Sequence, residues 1–308
     1  MLATLTDDYF DDPDWIYERK LDGQRCLVYR ESGQVRLGSR NRKDISSRYP
    51  ELVKVLENID APDCIADGEI VAFEGEVTSF SKLQPRMQRE DPDDELLQAA
   101  PVYLYLFDLI FLDGKALAGL PLRARKSLLR DLLAYDDPIR FTSHRNEKGT
   151  AYREAACRKG WEGVIAKDGT SNYVHSRSRK WLKFKCVARQ ELVIGGYTDP
   201  QGERVGFGAI LVGYYRDDTL QYAGKVGTGF DDEQLKNLHE AFRKLERKTS
   251  PFAGEVTEKN AHWITPRLVA EIGFTEWTDD NKLRHPRFLG LRHDKAAEDV
   301  VKEKPVKT

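Results

Sequence analysis

Glu18-Arg19-Lys20-Leu21-Asp22-Gly23-Gln24-Arg25 sets a lysine at the end of a strand-like run, just before a turn dipeptide. That place puts the amine at the rim of a sheet, where a ligand can approach. An ordinary lysine, pKa ~10.4, is protonated at neutral pH and is a poor nucleophile unless cationic neighbours or desolvation lower that value. Taken alone, K-x-D-G reads first as an exposed lysine before a hairpin. Three more constellations follow. Asp67-Gly68-Glu69-Ile70-Val71 sets two carboxylates around a glycine in an apolar strand, and Glu162-Gly163-Val164-Ile165-Ala166-Lys167 repeats the idea with a lysine. In Trp181-Leu182-Lys183-Phe184-Lys185, alternation puts Lys183, Lys185 and Trp181 on one face and Leu182 and Phe184 on the other. Like charges side by side on a strand call for solvent or an anion, and a polyphosphate would serve. The chemistry these residues can do together is the holding of an anionic substrate beside a Lys20 made more nucleophilic. Lys183 and Lys185 would clamp the anion and lower the basicity of Lys20, and Glu69 and Glu162 would offer hard oxygens to a divalent cation.

The elements that must position these groups are mostly short strands: Trp15 to Lys20, Arg25 to Arg30, Val35 to Ser39, Ile65 to Phe73, Val102 to Phe111, Gly163 to Lys167 and Trp181 to Lys185. Asp22-Gly23, Ser32-Gly33 and Asp113-Gly114 are turn dipeptides, and the first two separate strands closely enough for hairpins. Arg123 to Ala134, with leucines at 128, 129, 132 and 133, and Thr150 to Lys159, ending at Gly160, read as helices. Hairpins dominate, so the expectation is an α+β domain on an antiparallel sheet. Beyond Lys185, Glu191 to Tyr197, Ala209 to Arg216, Leu220 to Val226 and Trp263 to Trp277 are strand-like, and Asp231 to Lys248 is a charged amphipathic helix. A five-stranded OB-type barrel with one helix fits them. The boundary falls near Cys186 to Gln190, giving domains 1–187 and 188–308, the second with a flexible C-terminal tail. Gly224 to Gly229 lacks the order of a phosphate loop and reads as a bulge.

Composition narrows the class. The chain has 308 residues, 40% hydrophobic and 32% charged, as in an ordinary globular protein. Cys26, Cys64, Cys157 and Cys186 are dispersed without a C-x-x-C pair, which argues against a zinc knuckle and a disulfide framework. No apolar run reaches the ~18 residues of a membrane span. Met1 to Asp14 holds five aspartates and no basic residue, unlike a secretory leader, so the expected location is cytoplasmic. The formal net charge of −2 speaks against a polyanionic partner only as a total. Arg177, Arg179, Lys180, Lys183, Lys185 and Arg189 form a run without one acid, while Glu90 to Glu95 and the Lys-rich tail from Lys302 read as solvated segments. None of the six histidines has metal-ligand spacing.

The ordered set K-L-D-G-Q-R, Ser39-Arg40, D-G-E, Phe107-Asp108, E-G-V-I-A-K and W-L-K-F-K resembles the motifs of the covalent nucleotidyltransferases, which include ATP-dependent DNA and RNA ligases and mRNA capping enzymes. Val193-Ile194-Gly195-Gly196-Tyr197, Gly206-Phe207-Gly208-Ala209, Gly224 to Phe230, Glu276-Trp277-Thr278, Arg284-His285-Pro286 and Phe288-Leu289-Gly290-Leu291-Arg292 are similar to the ligase module of bacterial end-joining DNA ligases. The resemblance runs from Met1 to about Lys295. Ser176 stands before Arg177-Ser178 where that family usually has glycine.

The resemblance implies that Lys20 attacks the α-phosphorus of ATP, forming a lysyl-adenylate and expelling pyrophosphate. Glu18 would accept from the adenine amine and Phe107 would stack on the base. Arg25, Arg40 and Glu69 would contact ribose, AMP phosphate or the 5′-phosphate of a nick. Glu162, with Glu69, would hold Mg²⁺ or Mn²⁺. Lys183 and Lys185 would neutralise the α-phosphate, with Lys167 a further candidate for a phosphate contact. Arg292, Asp294 and Lys295, in the second domain, would orient the leaving pyrophosphate. Arg40, Arg177, Arg179 and Lys180 would bind DNA. The implied partners are nicked or broken duplex DNA and the end-bridging protein Ku, with a monomeric enzyme whose second domain swings over the nucleotide. An RNA ligase, a GTP-dependent capping guanylyltransferase and a non-catalytic OB-type binding module are the alternatives.

Overall fold

A computed structural model describes every residue except Val187, Gln201, Glu203 and Thr308. It divides into two units, Met1–Cys186 with Lys304–Thr308, and Val187–Glu303. The boundary lies within the window read from sequence. No helix among the described residues is long and apolar enough to cross a membrane.

In chain order the first unit contains β1 (Leu2–Leu5), β2 (Trp15–Lys20), β3 (Gln24–Glu31), β4 (Gln34–Ser39), α1 (Pro50–Asn58), β5 (Cys64–Val71), β6 (Phe73–Glu74), β7 (Val77–Thr78), α2 (Phe80–Gln88), α3 (Asp94–Ala99), β8 (Tyr103–Leu112), β9 (Lys115–Ala116), α4 (Leu122–Leu132), β10 (Ile139–Phe141), β11 (His144–Arg145), α5 (Gly149–Arg158), β12 (Gly163–Asp168) and β13 (Arg177–Lys185). They form two sheets, β1-β13-β12-β2-β11 and β10-β8-β5-β3-β4, with β9 paired to β8. Pairing is antiparallel except for β1 with β13 and β10 with β8. The α+β expectation stands.

Asp22-Gly23 is not a hairpin turn, because β2 and β3 belong to different sheets. The chain crosses between sheets there, and a Cβ on Gly23 would lie 2.2 Å from the Ile70 carbonyl oxygen. Glycine is required by close approach rather than by a turn. Ser32-Gly33 does close the β3–β4 hairpin, both residues at positive φ. Helices α1, α2 and α3 were not legible from the pattern. The acidic stretch expected as solvated loop instead caps α3, with the Asp93 carboxylate accepting from the Leu96 N–H at 2.9 Å.

The face of α4 also differs from its leucine pattern. Leu122, Arg125, Lys126 and Leu129 are buried, whereas Leu128 is 37% exposed. Two buried cations displace leucines because buried acids await them: Arg125 is forked onto Asp108 at 2.8 and 2.9 Å, and Lys126 reaches Glu18. Cys157 and Cys186 are joined by a disulfide across 29 residues, contrary to the reading of four dispersed thiols. Packing of α5 on β12 and pairing of β12 with β13 create that proximity. Cys26 and Cys64 are free and buried. The tail expected to be flexible is tied down: the Val306 N–H donates to the Leu5 carbonyl at 2.9 Å, and Thr6 Oγ1 donates to the Val306 carbonyl at 2.7 Å.

The second unit contains β14 (Ala188–Thr198), β15 (Ile210–Arg216), β16 (Thr219–Val226), α6 (Asp232–Arg243), β17 (Glu246–Arg247), β18 (Phe252–Ala253), β19 (Ala261–Phe274), β20 (Glu276–Trp277), β21 (Leu283–Arg284) and β22 (Arg287–Arg292). Five long strands, β14, β15, β16, β19 and β22, make the sheet, and the short β17 and β18 extend it to seven. Helix α6 ends at Arg243, short of Lys248, because the chain turns into β17. Its start carries a capping box between Asp231 and Gln234. Gly224, at φ +130°, sits at a register shift in the β15–β16 ladder, so the bulge reading of that segment holds. The core gathers Phe207, Tyr214, Phe242, Phe252 and Phe288 with the aliphatic residues of the strands.

Candidate active site

The two sheets of the first unit meet at a cavity of about 170 Å³. From one sheet β2 supplies Glu18, Arg19 and Lys20, and β12 and β13 supply Lys167, Trp181 and Lys183. From the other, Arg25, Glu69 and Phe107 enter on β3, β5 and β8, and Arg40 enters just after β4. Period-two alternation explains the selection apart from Arg19, which touches the cavity from between Glu18 and Lys20. Glu18 and Lys20 share a face of β2, as Trp181 and Lys183 share a face of β13.

Lys20 lies at the mouth, its Nζ 2.5 Å from Glu162 Oε2, with side chains 18% and 6% exposed. The register pairs Lys20 with Gly163 and Gly163 with Lys185, so β12 runs between nucleophile and cation strand. Gly163 has φ +149°, and a Cβ there would lie 2.2 Å from the Phe184 carbonyl oxygen, which only glycine tolerates. A carboxylate this close to the amine is also a hard oxygen donor that a divalent cation could draw away from it.

The deep end is sealed. The Glu18 carboxylate is flanked by Lys126 Nζ at 2.6 Å and Lys167 Nζ at 2.5 Å, all three side chains at most 3% exposed. Burial alone would raise the pKa of Glu18, but the two ammonium groups prevail and hold it below the ordinary carboxylate value. Lys167 goes the other way: burial lowers it to about 8, against the pull of Glu18. Its ammonium also lies 4.3 Å from the Phe107 ring centroid and 4.0 Å from that of Trp181. Lys126 donates to the Phe107 and Thr142 carbonyls as well.

The pocket keeps polar capacity for a ligand. Thr142 Oγ1 and Trp181 Nε1 are buried on its wall without a protein partner, and Glu18 Oε1 carries no aligned hydrogen bond despite its ion pair. Unmet donors and acceptors beside aromatic rings suit a purine. Arg25 is committed internally. Its Nε donates to buried Asp67 at 2.5 Å and its NH2 to the second oxygen, its guanidinium lies 4.8 Å from the Phe107 centroid, and Asp67 also accepts from the Tyr173 hydroxyl at 2.7 Å. Burial opposes the charge of Arg25, yet Asp67 overcomes it and raises the pKa above its ordinary value.

The remaining site residues read from sequence divide by place. Arg40, Glu69, Lys183 and Arg177 line the cavity, and Arg177 also donates to the Ala3 carbonyl at 2.6 Å. Lys185 is not on the wall; its carbonyl accepts from Arg153 at 2.8 Å. Arg179 and Lys180 are exposed on β13, the first bonded to the Lys307 carbonyl and the second to Asp168 at 2.8 Å. Arg292 and Lys295 belong to the second unit. Arg292 is forked onto Asp294 at 2.9 and 2.8 Å and lies 3.7 Å from Glu271, and Lys295 meets Glu191 at 3.2 Å. Sequence reasoning missed Lys126 and Thr142. For Lys126 the one signal was its place in the stripe 122, 125, 126, 129 of α4.

Among the described residues no cluster of three or more His, Cys, Asp or Glu side chains is placed to hold a metal ion. Glu162 and Glu69 are hard oxygen donors that fit Mg²⁺ or Mn²⁺ only with phosphate and water completing the shell, as is usual for magnesium at phosphoryl sites.

A family model described as ATP dependent DNA ligase domain matches residues 1–185, and one described as ATP dependent DNA ligase C terminal region matches residues 203–295. The chain is 37% identical over 301 residues to the multifunctional non-homologous end joining protein LigD of Pseudomonas aeruginosa, a match covering 95% of this chain and 35% of that protein. The corresponding protein of Mycobacterium tuberculosis is 37% identical over 297 residues, 94% of this chain and 37% of that one. The chain thus spans about a third of the length of these relatives. Among solved structures, mycobacterial DNA ligase D complexed with ATP and MES matches at 33% identity and a TM-score of 0.67, covering 98% of both chains. The ligase domain of M. tuberculosis LigD matches at 32% identity and a TM-score of 0.51, again covering 98% of both. With a lysine-carboxylate pair at the mouth of a purine-sized pocket and both halves of the family pattern in place, this chain belongs to the ATP-dependent DNA ligases.

Proposed function

We propose that this chain seals nicks or broken ends in duplex DNA, in repair or end joining, through an adenylate on Lys20. The observation that carries the reading is the Lys20–Glu162 pair at the mouth, in front of a sealed end where Glu18 and its two lysines present an acceptor to a base. Adenine enters with its amine toward Glu18 and its face toward Phe107 and Trp181. Lys183 and Arg40 bear on the phosphates, and Glu162 and Glu69 would hold a divalent cation that would supply charge neutralisation at the α-phosphate. Lys20 Nζ, freed from Glu162, attacks the α-phosphorus as the bond to pyrophosphate breaks. AMP then passes to a 5′-phosphate, and a 3′-hydroxyl displaces it to close the strand. Arg177, Arg179 and Lys180 track the backbone. The second unit contributes Arg292 and Lys295 to pyrophosphate departure after they exchange their acid partners for phosphate. The enzyme acts as a cytoplasmic monomer, and Ku is the proposed end-bridging partner.

Incubation with α-labelled ATP and Mg²⁺ or Mn²⁺, then with nicked, cohesive or blunt DNA in the presence and absence of Ku, tests this. Label that survives denaturation, vanishes in Lys20→Ala and is released on sealing is expected. Retention of label by Lys20→Ala, a preference for GTP, or sealing confined to RNA-strand nicks overturns it.

A further inference from the structure

Arg19, beside the nucleophile, has no part in the chemistry described above. Its guanidinium carbon lies 4.3 Å from the ring centroid of Trp161 and 5.8 Å from that of Phe73. Its NH2 donates to the Glu76 carbonyl at 3.1 Å, and its Nε is buried without a partner. Burial lowers its pKa from the ordinary value. A half-buried guanidinium held mainly by two rings and one carbonyl is costly to place, so what it connects matters.

It connects two segments flanking Lys20. One is the β6–β7 hairpin, anchored a second time where the Asp22 N–H donates to Thr78 Oγ1 at 3.1 Å. The other is the turn from α5 into β12, where Trp161 immediately precedes Glu162. Trp161 is also steadied edge-on by Tyr152, with centroids 6.1 Å apart. The segment is also held through its main chain, the Trp161 N–H donating to the Ala156 carbonyl and the Glu162 carbonyl accepting from the Cys186 N–H, both at 3.0 Å. The seat of Trp161 is thus one of the contacts next to the Glu162 side chain, which meets Lys20 at 2.5 Å.

We propose that Arg19 is a positioning residue, which clamps Trp161 and the β6–β7 hairpin on either side of Lys20 and thereby sets the reach of Glu162. The proposal rests on the adenylation reading for its kinetic consequence, but its structural part is tested without turnover. In hydrogen exchange of the full chain, Arg19→Ala releases residues 73–78 and 159–163 together, by about tenfold or more, while β5 and β8 keep their protection. Misplacing a reacting group costs up to about a hundredfold, so adenylate formation slows by roughly ten- to a hundredfold in kcat with little change in KM for ATP. Arg19→Lys, which keeps the cation over Trp161, recovers part of that loss. Trp161→Ala reproduces Arg19→Ala, and the double variant is no worse than either, as for groups acting in one unit. Unchanged exchange in either segment, additive losses, or a change in KM alone overturns the proposal. If the unaltered chain formed no adenylate, the adenylation reading would fail and the exchange result would still decide the clamp.

Discussion

The two carboxylates of β2 and its neighbour make opposite bargains with lysine. Glu18 is enclosed by Lys126 and Lys167 where water does not reach, and Glu162 faces Lys20 at a mouth where the amine is 18% exposed. A buried pair is expensive to break, since losing one partner strands a charge. A partly exposed pair can be exchanged for phosphate or a cation at little cost. In the proposed reaction the deep end stays as it is while a base docks on it, and the mouth changes partners. Glu18 and Lys20 are two residues apart on one face of one strand, so the difference comes from what surrounds them.

Substitution at the two ends is the strongest way to break this contrast. Lys20→Ala abolishes the denaturation-resistant adenylate and costs less unfolding free energy than Lys126→Met, because the Lys20 amine is partly exposed although Glu162 is buried. Lys126→Met, measured by urea unfolding, costs about 3–5 kcal/mol because Glu18 keeps its burial and loses a counter-ion. Equal destabilisation by both would erase the distinction. Glu162→Gln keeps the fold and lowers the rate of adenylate formation by about a hundredfold in rapid-quench assays, as loss of a charged group at a phosphoryl centre does.

A finer probe is pH. Burial holds Lys167 at about 8 instead of its ordinary 10.5, so between those values the unfolded chain binds more protons at this position than the folded one. Folding stability therefore gains from this group as pH rises through that window, and its full cost is present below pH 8. Urea unfolding of the natural chain and Lys167→Met from pH 7 to 10 reads the difference, which increases toward high pH. A flat difference means that Lys167 is not a buried cation. The smallest effect belongs to the exposed end of β13: Arg179→Ala or Lys180→Ala each lowers the salt slope of DNA binding by about one.

Strands were legible where apolar residues alternate, and β2 was read to the residue because Trp15 to Lys20 is bounded by a proline-containing segment and a turn. Helices α1 to α3 were not, because they are short, α1 and α2 burying only two and four residues and α3 none. The cluster at the mouth was legible as motifs. The sealed end was not: Lys126 stands among basic residues of a helix that looks solvated, and Asp22-Gly23 has the composition of a hairpin yet lies at a crossing between sheets.

The sequence by itself marked Lys20, Glu69, Glu162 and the cation-bearing strand as candidates, because those depend on residue type, alternation and order along the chain. Tertiary structure alone decided which lysines face Glu18, which thiols meet, and that Arg25 is spent on Asp67 while Arg19 bridges Trp161 and the β6–β7 hairpin. Each of these joins groups from segments far apart in the chain. Local pattern carries no record of which distant charge will be present to offset burial.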